Sequence, residues 1–541
     1  TTVIYTLSHH DALPIYQKEP ERRKEKQMKK KILAILMATL TVGSLLSGCG
    51  GAQSSDANGN QESSKQESSD SEEPAEVVFA YMTQNNIPES SELERIQNLI
   101  NDYTVDKINT KVKLVLFSNS DYMNQVNLML ASGEQIDLFQ SLNTPHLKYM
   151  KDGTALDITA YLDDELKETK EIVYDKFLEP TTIEGKTYGI MNMGSAYVPG
   201  GFTYREDIAE ELGIDMSQVT SPEDLTDVFA KVQEAYPSMV IIDPNRADSM
   251  FGTYLGSRVG FDGLGDSNTS NVSGVAYQGD ATVVDIYETP EFKEVCDLAR
   301  SWFEAGYYAN DAATTTATTA ELLMSGNCFG TFCGLGNPKI AQQYTNNYGH
   351  PFDNVKISDS LVGSGNTNAW MVNSSCENPS AACKFLNLLY TDAYVDNLLV
   401  YGEEGVDYKL DENGCVVAPD GYTDLNSVAY TDNMNYHYWG NKWLTYPVAG
   451  GLYGEEKEAN KQQNYDAKLS DYYGFMYDYS GKEAEYTACQ NIVAEYKKSL
   501  WVGAADVDET IAEMTKRLKA AGMDDLIQVK QEQLDKWMSN R

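Results

Sequence analysis

The chain has 541 residues and carries 81 Asp+Glu against 42 Lys+Arg, a formal charge of −39 at pH 7. So acidic a surface repels nucleic acid and anionic lipid headgroups, which argues against both as partners. The length exceeds what one hydrophobic core usually serves, so two or more lobes are expected.

Residues 1–27 carry Asp11, Glu19 and Glu21 and fit no export signal, so they are expected not to belong to the working protein. From Met28 the pattern changes. Lys29-Lys-Lys31 precedes the apolar stretch Ile32–Val42 and then Leu46-Ser-Gly-Cys49, the three parts of a secretory signal over residues 28–48. Its apolar core is too short to stay as a membrane-spanning helix, for which about 20 residues are needed. Leu-Ser-Gly-Cys resembles the bacterial lipobox, which implies that Cys49 is acylated and becomes the mature N-terminus. Without residues 1–48 the chain loses eight basic and four acidic residues and its formal charge becomes −43. Residues 49–75 are rich in Ser, Gln, Asn, Glu and Asp, cannot bury enough surface to fold, and are expected to form a flexible tether. A lipid, a tether and a large body describe a protein leashed to the outer face of a cell membrane.

In the body, Val77–Tyr81 and Lys113–Phe117 predict short buried strands, with helical spacing across Glu92–Ile108 between them. That is a βαβ unit, the signature of a parallel sheet. A helix is expected over Asp121–Ala131, ended by Ser132-Gly133, and then a strand at Ile136–Phe139. Ser221-Pro222, Thr289-Pro290 and Asn378-Pro379 each set a polar cap before proline at a helix start. The fold class is α/β.

These residues also carry a resemblance. Met129-Leu-Ala-Ser-Gly-Glu-Gln-Ile-Asp137-Leu, Glu184-Gly-Lys-Thr-Tyr188-Gly, Phe202-Thr-Tyr204-Arg-Glu-Asp207 and Ala369-Trp-Met-Val372 with Asn378-Pro-Ser-Ala-Ala-Cys-Lys-Phe-Leu386 resemble, in order, the motifs of bacterial extracellular solute-binding proteins of the maltose-binding type. Leu398–Tyr408, Tyr473–Asp478, Gln490–Tyr496 and Leu518–Met523 are similar to a LipO-like subgroup of low-GC Gram-positive bacteria with a DUF3502-like C-terminal region. The resemblance implies a two-lobed fold of the type II periplasmic-binding-protein class, with a ligand cleft between the lobes. It assigns residues 76–200 and 338–400 to the first lobe, and residues 201–337 and 401–541 to the second, the last stretch including a C-terminal helical region. It further implies uptake of an oligosaccharide or similar small solute, delivery to the permease subunits of an ABC transporter, and a monomer held to the membrane by its lipid (palmitate) alone.

Ligands of α/β sheets sit beyond the carboxyl ends of the strands. The candidate loops therefore hold Met82, Thr83 and Gln84; Gln140 and Asn143; and Gly334 and Gly336. A sugar needs aromatic platforms beside amides and carboxylates. The cluster Tyr430–Trp443 supplies both, making Tyr436, Trp439 and Trp443 candidates, with Trp439 first because related sugar binders place a stacking ring late in the second lobe. Trp370 and Tyr204 follow, whereas Trp302, in the stripe Phe292, Cys296, Ala299, Phe303, is expected in the core.

No His-Glu-x-x-His, Gly-x-Ser-x-Gly or Walker pattern occurs, so no catalytic residue, cofactor or metal is assigned. The loop Asp262-Gly-Leu-Gly-Asp266-Ser-Asn268 offers oxygen ligands but departs from calcium-loop spacing and reads as an acidic surface turn. Besides Cys49 there are seven cysteines, of which Cys328 and Cys333 have the spacing to close a small loop and Cys296 reads as core. An extracellular glycoside hydrolase and a surface adhesin lipoprotein are the competing classes.

Overall fold

The computed structural model describes residues 73–541, apart from residues 84, 142–146, 174, 195, 365–367 and 432–439. Signal, lipobox and the tether up to residue 72 lie outside the described residues, and Ala75, assigned to the tether, is the first residue of β1. In chain order the elements that build the two sheets and their flanking helices are β1 Ala75–Thr83, α1 Ser90–Ile108, β2 Thr110–Ser118, α2 Tyr122–Ser132, β3 Leu138–Ser141, β4 Ile190–Met191, β5 Gly200–Arg205, β6 Val240–Ile242, α3 Pro290–Glu304, β7 Cys328–Gly334, β8 Phe352–Lys356, β9 Ala369–Val372, α4 Pro379–Thr391 and α5 Ala393–Tyr401. Four helices follow: α6 Gly454–Tyr465, α7 Glu483–Trp501, α8 Val507–Ala520 and α9 Met523–Ser539.

The first sheet has the order β2-β1-β3-β9-β4. β1 is parallel to β2 and β3, and β9 runs antiparallel between β3 and β4. From Val77 onward every β1 side chain is buried, as a strand covered on both faces requires. β2 alternates instead, with Val112, Leu114 and Leu116 inward and Lys111 and Lys113 outward, because it is an edge strand with one wet face. α1 lays Ile96, Ile100 and Thr104 on the sheet at four-residue spacing and ends at Asn109, whose φ of 50° is the left-handed turn that stops a helix.

The second sheet has the order β8-β5-β7-β6, with β5 antiparallel to both neighbours. Its core holds Phe202, Phe229, Phe329 and Trp302, whose indole N–H donates to Thr226 Oγ1 at 2.9 Å, so Trp302 is core as expected. Thr289 caps α3 by accepting from Phe292 N, with Pro290 at the first turn. Ser221-Pro222 does not cap its helix: the Asp224 carboxylate accepts from Thr220 N and Ser221 N to make a turn, and the helix starts at Leu225.

Two lobe boundaries differ from expectation. β8 was assigned to the first lobe but pairs with β5 over five positions from Phe352↔Arg205 to Lys356↔Gly201. Tyr401, Tyr408, Val416 and Tyr430 were assigned to the second lobe but pack in the first core, because α5 is buried almost all round and pulls the following chain with it. Cys328 and Cys333 lie on one strand five positions apart, hence on opposite faces, and both are free thiols. The C-terminal helices complete the second core through Leu500, Trp501, Met514, Leu518 and Leu526. The 262–268 loop is not a surface turn. Asp262 is buried, and fully buried Lys530 of α9 donates to the carbonyls of Gly263 and Gly274, each at 3.0 Å.

Candidate ligand cleft

β1, β3 and β4 end on the same side of the first sheet, at Thr83, Ser141 and Met191. Beyond Thr83, the Asn85 N–H donates to Thr83 Oγ1 at 2.9 Å, and its side-chain amide reaches the carbonyl of Thr431 at 3.5 Å. Beyond β4, Met193 is clamped to a later stretch: its N–H donates to the Gly440 carbonyl at 2.7 Å and its carbonyl accepts from Lys442 N at 3.4 Å. Asn441 is locked by its amide donating to the Tyr390 carbonyl at 2.9 Å, and it accepts from Trp443 N at 3.2 Å. Lys442 crosses so close to Gly194 that a Cβ there would stand 2.5 Å from its Cδ, so glycine is what lets the lysine pass. The Lys442 ammonium lies 4.4 Å from the centroid of the Trp443 ring, and burial lowers its pKa to about 8. Trp443 Nε1 is buried and has no hydrogen-bond partner among the described residues.

On the second sheet, β6 and β7 run in parallel and end at Ile242 and Gly334. Asp243 is fully buried and organises this end: one oxygen accepts from the Asn245 N–H and amide, the other from Thr319 and Thr331 hydroxyls at 2.7 and 3.0 Å. The chain passes from the first sheet to the second between β4 and β5 and returns between β8 and β9, while the segment after β7 stays with the second sheet and leads to β8. These segments are laced together: Leu335 N donates to the Pro199 carbonyl, Ile357 N to the Gly200 carbonyl, and Val198 N to Ser360 Oγ.

The structure sorts the candidates. Thr83 and Gln140 lie at the strand ends, both buried, and Trp443 is half-buried there. Gly334 and Gly336 stand at and just beyond the end of β7, where each lies against Val198 of the segment crossing to β5. Three candidates belong to the cores instead. Met82 is 1% exposed within the first core. Trp370 is wholly buried on β9, with its ring centroid 5.1 Å from that of Phe79. Tyr204 packs near Phe329 in the second core and turns its hydroxyl to Asp353 at 3.3 Å. Gln84, Asn143, Tyr436 and Trp439 lie outside the described residues. Asn85, Asn441 and Lys442 belong to the candidate loop and cluster without having been singled out, whereas the Asp243–Asn245 turn was not among the candidates. Asp-Pro-Asn directly after Val240–Ile242 was the available signal for the last, since a carboxylate that starts a turn closes a strand. Among the described residues no group of three or more His, Cys, Asp or Glu is placed to hold a metal ion.

Residues 89–396, more than half of the chain, match the family model described as bacterial extracellular solute-binding protein. The chain belongs to the bacterial extracellular solute-binding proteins. Residues 471–539 match a second model, a domain of unknown function, DUF3502. The solute-binding protein is 24% identical, over 81% of its own chain and 86% of the relative, to a carbohydrate ABC transporter substrate-binding protein of Streptococcus pneumoniae. It has the fold of the N-glycan transport solute-binding protein NgtS of the same organism: TM-score 0.71 and 22% identity, over 86% of this chain and 99% of that one. NgtS in complex with Man5GlcNAc gives TM-score 0.60, at 22% identity over 86% of this chain and 99% of that one. The S. pneumoniae substrate-binding protein FusA in complex with kestose gives 0.54, at 15% identity over 86% of this chain and the whole of that one.

Proposed function

We propose that this solute-binding protein captures an oligosaccharide between its two lobes, outside the cell, and delivers it to the permease of an ABC importer. The observation that carries the ligand class is the Asn441-Lys442-Trp443 segment clamped beside Met193: a ring, an amide and an ammonium at the carboxyl end of the first sheet. An apolar ring face suits the C–H face of a sugar, and amide and ammonium suit its hydroxyls. The glycan ligands of NgtS and FusA agree with this chemistry. Two-lobed closure supplies retention, because a ligand touching both lobes selects the closed arrangement. No step of this function makes or breaks a bond.

The test is a thermal-shift screen against a glycan library, since a ligand bound only by the folded state raises its melting temperature. With the best glycan, Trp443→Ala is expected to weaken binding by about 1–3 kcal/mol in calorimetry. Unchanged affinity would remove Trp443 from the site. Trp439 and Tyr436 are proposed as further platforms and carry the same test. The lipid anchor at Cys49 is part of this reading: wild type should fractionate with membranes and Cys49→Ala should appear in the medium, and identical fractionation would discard the anchor.

A further inference from the structure

Between the segment that joins β7 to β8 and helix α6 lies a cavity of about 390 Å3, open to solvent along α6, toward the small end of the roughly 300–1,000 Å3 range of small-molecule sites. Its walls come from different lobes. Pro338 and Lys339 lead into helix Ile340–Tyr348, whose Tyr344 and Tyr348 pack with Phe352 of the second sheet. The facing wall is Leu452 and one stripe of α6, which rides on the first lobe: Tyr465 packs against the first core and Lys457 donates to the Thr445 carbonyl at 2.8 Å.

The helix is docked in an unusual way. Its only buried residues are Asn460 and Asn464; Asn464 engages the segment that crosses to β5, and Asn460 the segment that leaves β7. Asn460 donates to the Gly336 carbonyl at 3.4 Å, and Asn464 accepts from Tyr197 N at 3.0 Å while donating back to the Asn460 carbonyl at 2.8 Å. An amide-held helix leaves Glu456, Ala459 and Gln463 facing the cavity, and Glu456 reaches across it to Lys339 at 2.9 Å. The cavity thus presents an ammonium, a carboxylate and an amide around the apolar surface of Pro338, Leu452 and Ala459. Paired donors and acceptors beside an apolar patch suit a neutral polyhydroxylated ring, while the carboxylate disfavours an anion. The site is also joined to the cleft: Thr445 donates to the Lys442 carbonyl at 2.9 Å and accepts from Lys457 through its own carbonyl, so the Lys442–Trp443 segment runs directly into the base of α6.

We infer that this cavity is a second saccharide subsite, taking a unit of the glycan beyond those held at Asn441–Trp443 and so selecting longer ligands. It rests on the capture reading above, and the experiment separates the two. Wild type, Ala459→Leu and Gln463→Ala would be titrated with the disaccharide and the hexasaccharide of the malto-, xylo- and manno-series. Leu fills the cavity and Ala removes an amide, and both residues are good helix formers that leave α6 intact; the unliganded melting temperature checks this. In the series that binds, the hexasaccharide should bind wild type more tightly, and each variant should lose about tenfold in hexasaccharide affinity, an ordinary amount for one lost contact set. Disaccharide affinity should stay within about twofold. Equal wild-type affinity for both lengths, or variants that shift both lengths alike or neither, would overturn the subsite and leave the capture reading standing. A wild type that binds no member of any series and no glycan of the library would overturn both.

Discussion

Asp285 is a carboxylate held out of water with half its hydrogen-bonding capacity unused. One oxygen accepts from Tyr287 N at 2.9 Å, the other is buried without a partner among the described residues, and burial raises the pKa to about 6. With the folded pKa above the unfolded one, the folded protein binds the extra proton between about pH 4 and 6, so this group's contribution to stability falls as pH rises through that window. Asp285→Asn keeps the accepting oxygen and removes the charge. Urea unfolding at intervals from pH 4 to 7 should show the variant gaining on wild type as pH rises to 6; a constant difference would refute the assignment. Single residues were legible where their neighbours fixed a face. Trp302 sits on a helix whose apolar stripe points one way, so its burial could be read. Trp370 sits on β9, where Ala369, Met371 and Val372 are buried on both faces, and alternation carries no information about a strand with no exposed side.

At the scale of elements, β1–α1–β2 was legible to within a few residues because helix and strand periods differ and the contacts are local. The 262–268 loop was not, since what defines it is Lys530, more than 250 residues along the chain. Sequence around a loop cannot show that a distant helix inserts a cation into it. Lys530 also lies 4.7 Å from the centroid of the Tyr477 ring, and burial lowers its pKa to about 8. Here the folded pKa lies below the unfolded one. The unfolded chain therefore binds more protons between about pH 8 and 10.5, and the Lys530 contribution to stability rises with pH across that window. The buried tyrosines act oppositely at the alkaline end, so the informative quantity is a difference: Lys530→Met should lose ground to wild type as pH rises from 8 to 10 in chemical denaturation. Parallel curves would show that Lys530 titrates alike in the folded and unfolded protein, and would refute the assignment.

For the whole molecule, two lobes and the class α/β were legible, but the lobe boundaries were not, because which sheet a segment joins is settled by long-range pairing. Among the described residues, three ion pairs link the first lobe to residues packed on the second: Lys151–Asp478 at 2.6 Å, Glu179–Arg541 at 3.1 Å and, on the reverse path, Lys339–Glu456 at 2.9 Å. All have at least one well-exposed partner, so salt should weaken them. Small-angle scattering of the unliganded protein should show a larger radius of gyration at 0.5 M than at about 0.05 M NaCl, and a bound glycan should compact it at either concentration. A radius that ignores both would argue against lobes that move.

The place of β9 in the first sheet bears on how the protein is made. Its four residues form the rib between β3 and β4, pairing Ala369 with Ser141 across more than 220 positions. Until residue 372 has emerged, β3 and β4 each present an unpaired edge in the middle of what will be the sheet, the kind of surface that recruits other strands. The second sheet, in contrast, has all four of its strands by residue 356. The sheet that begins the chain is therefore the later of the two to gain its last strand, and its assembly waits on a long loop closure. A polypeptide stalled or cleaved between 356 and 369 would carry a second sheet with every strand present and a first sheet lacking its keystone, which marks that short interval as the point where synthesis and folding are most exposed to one another.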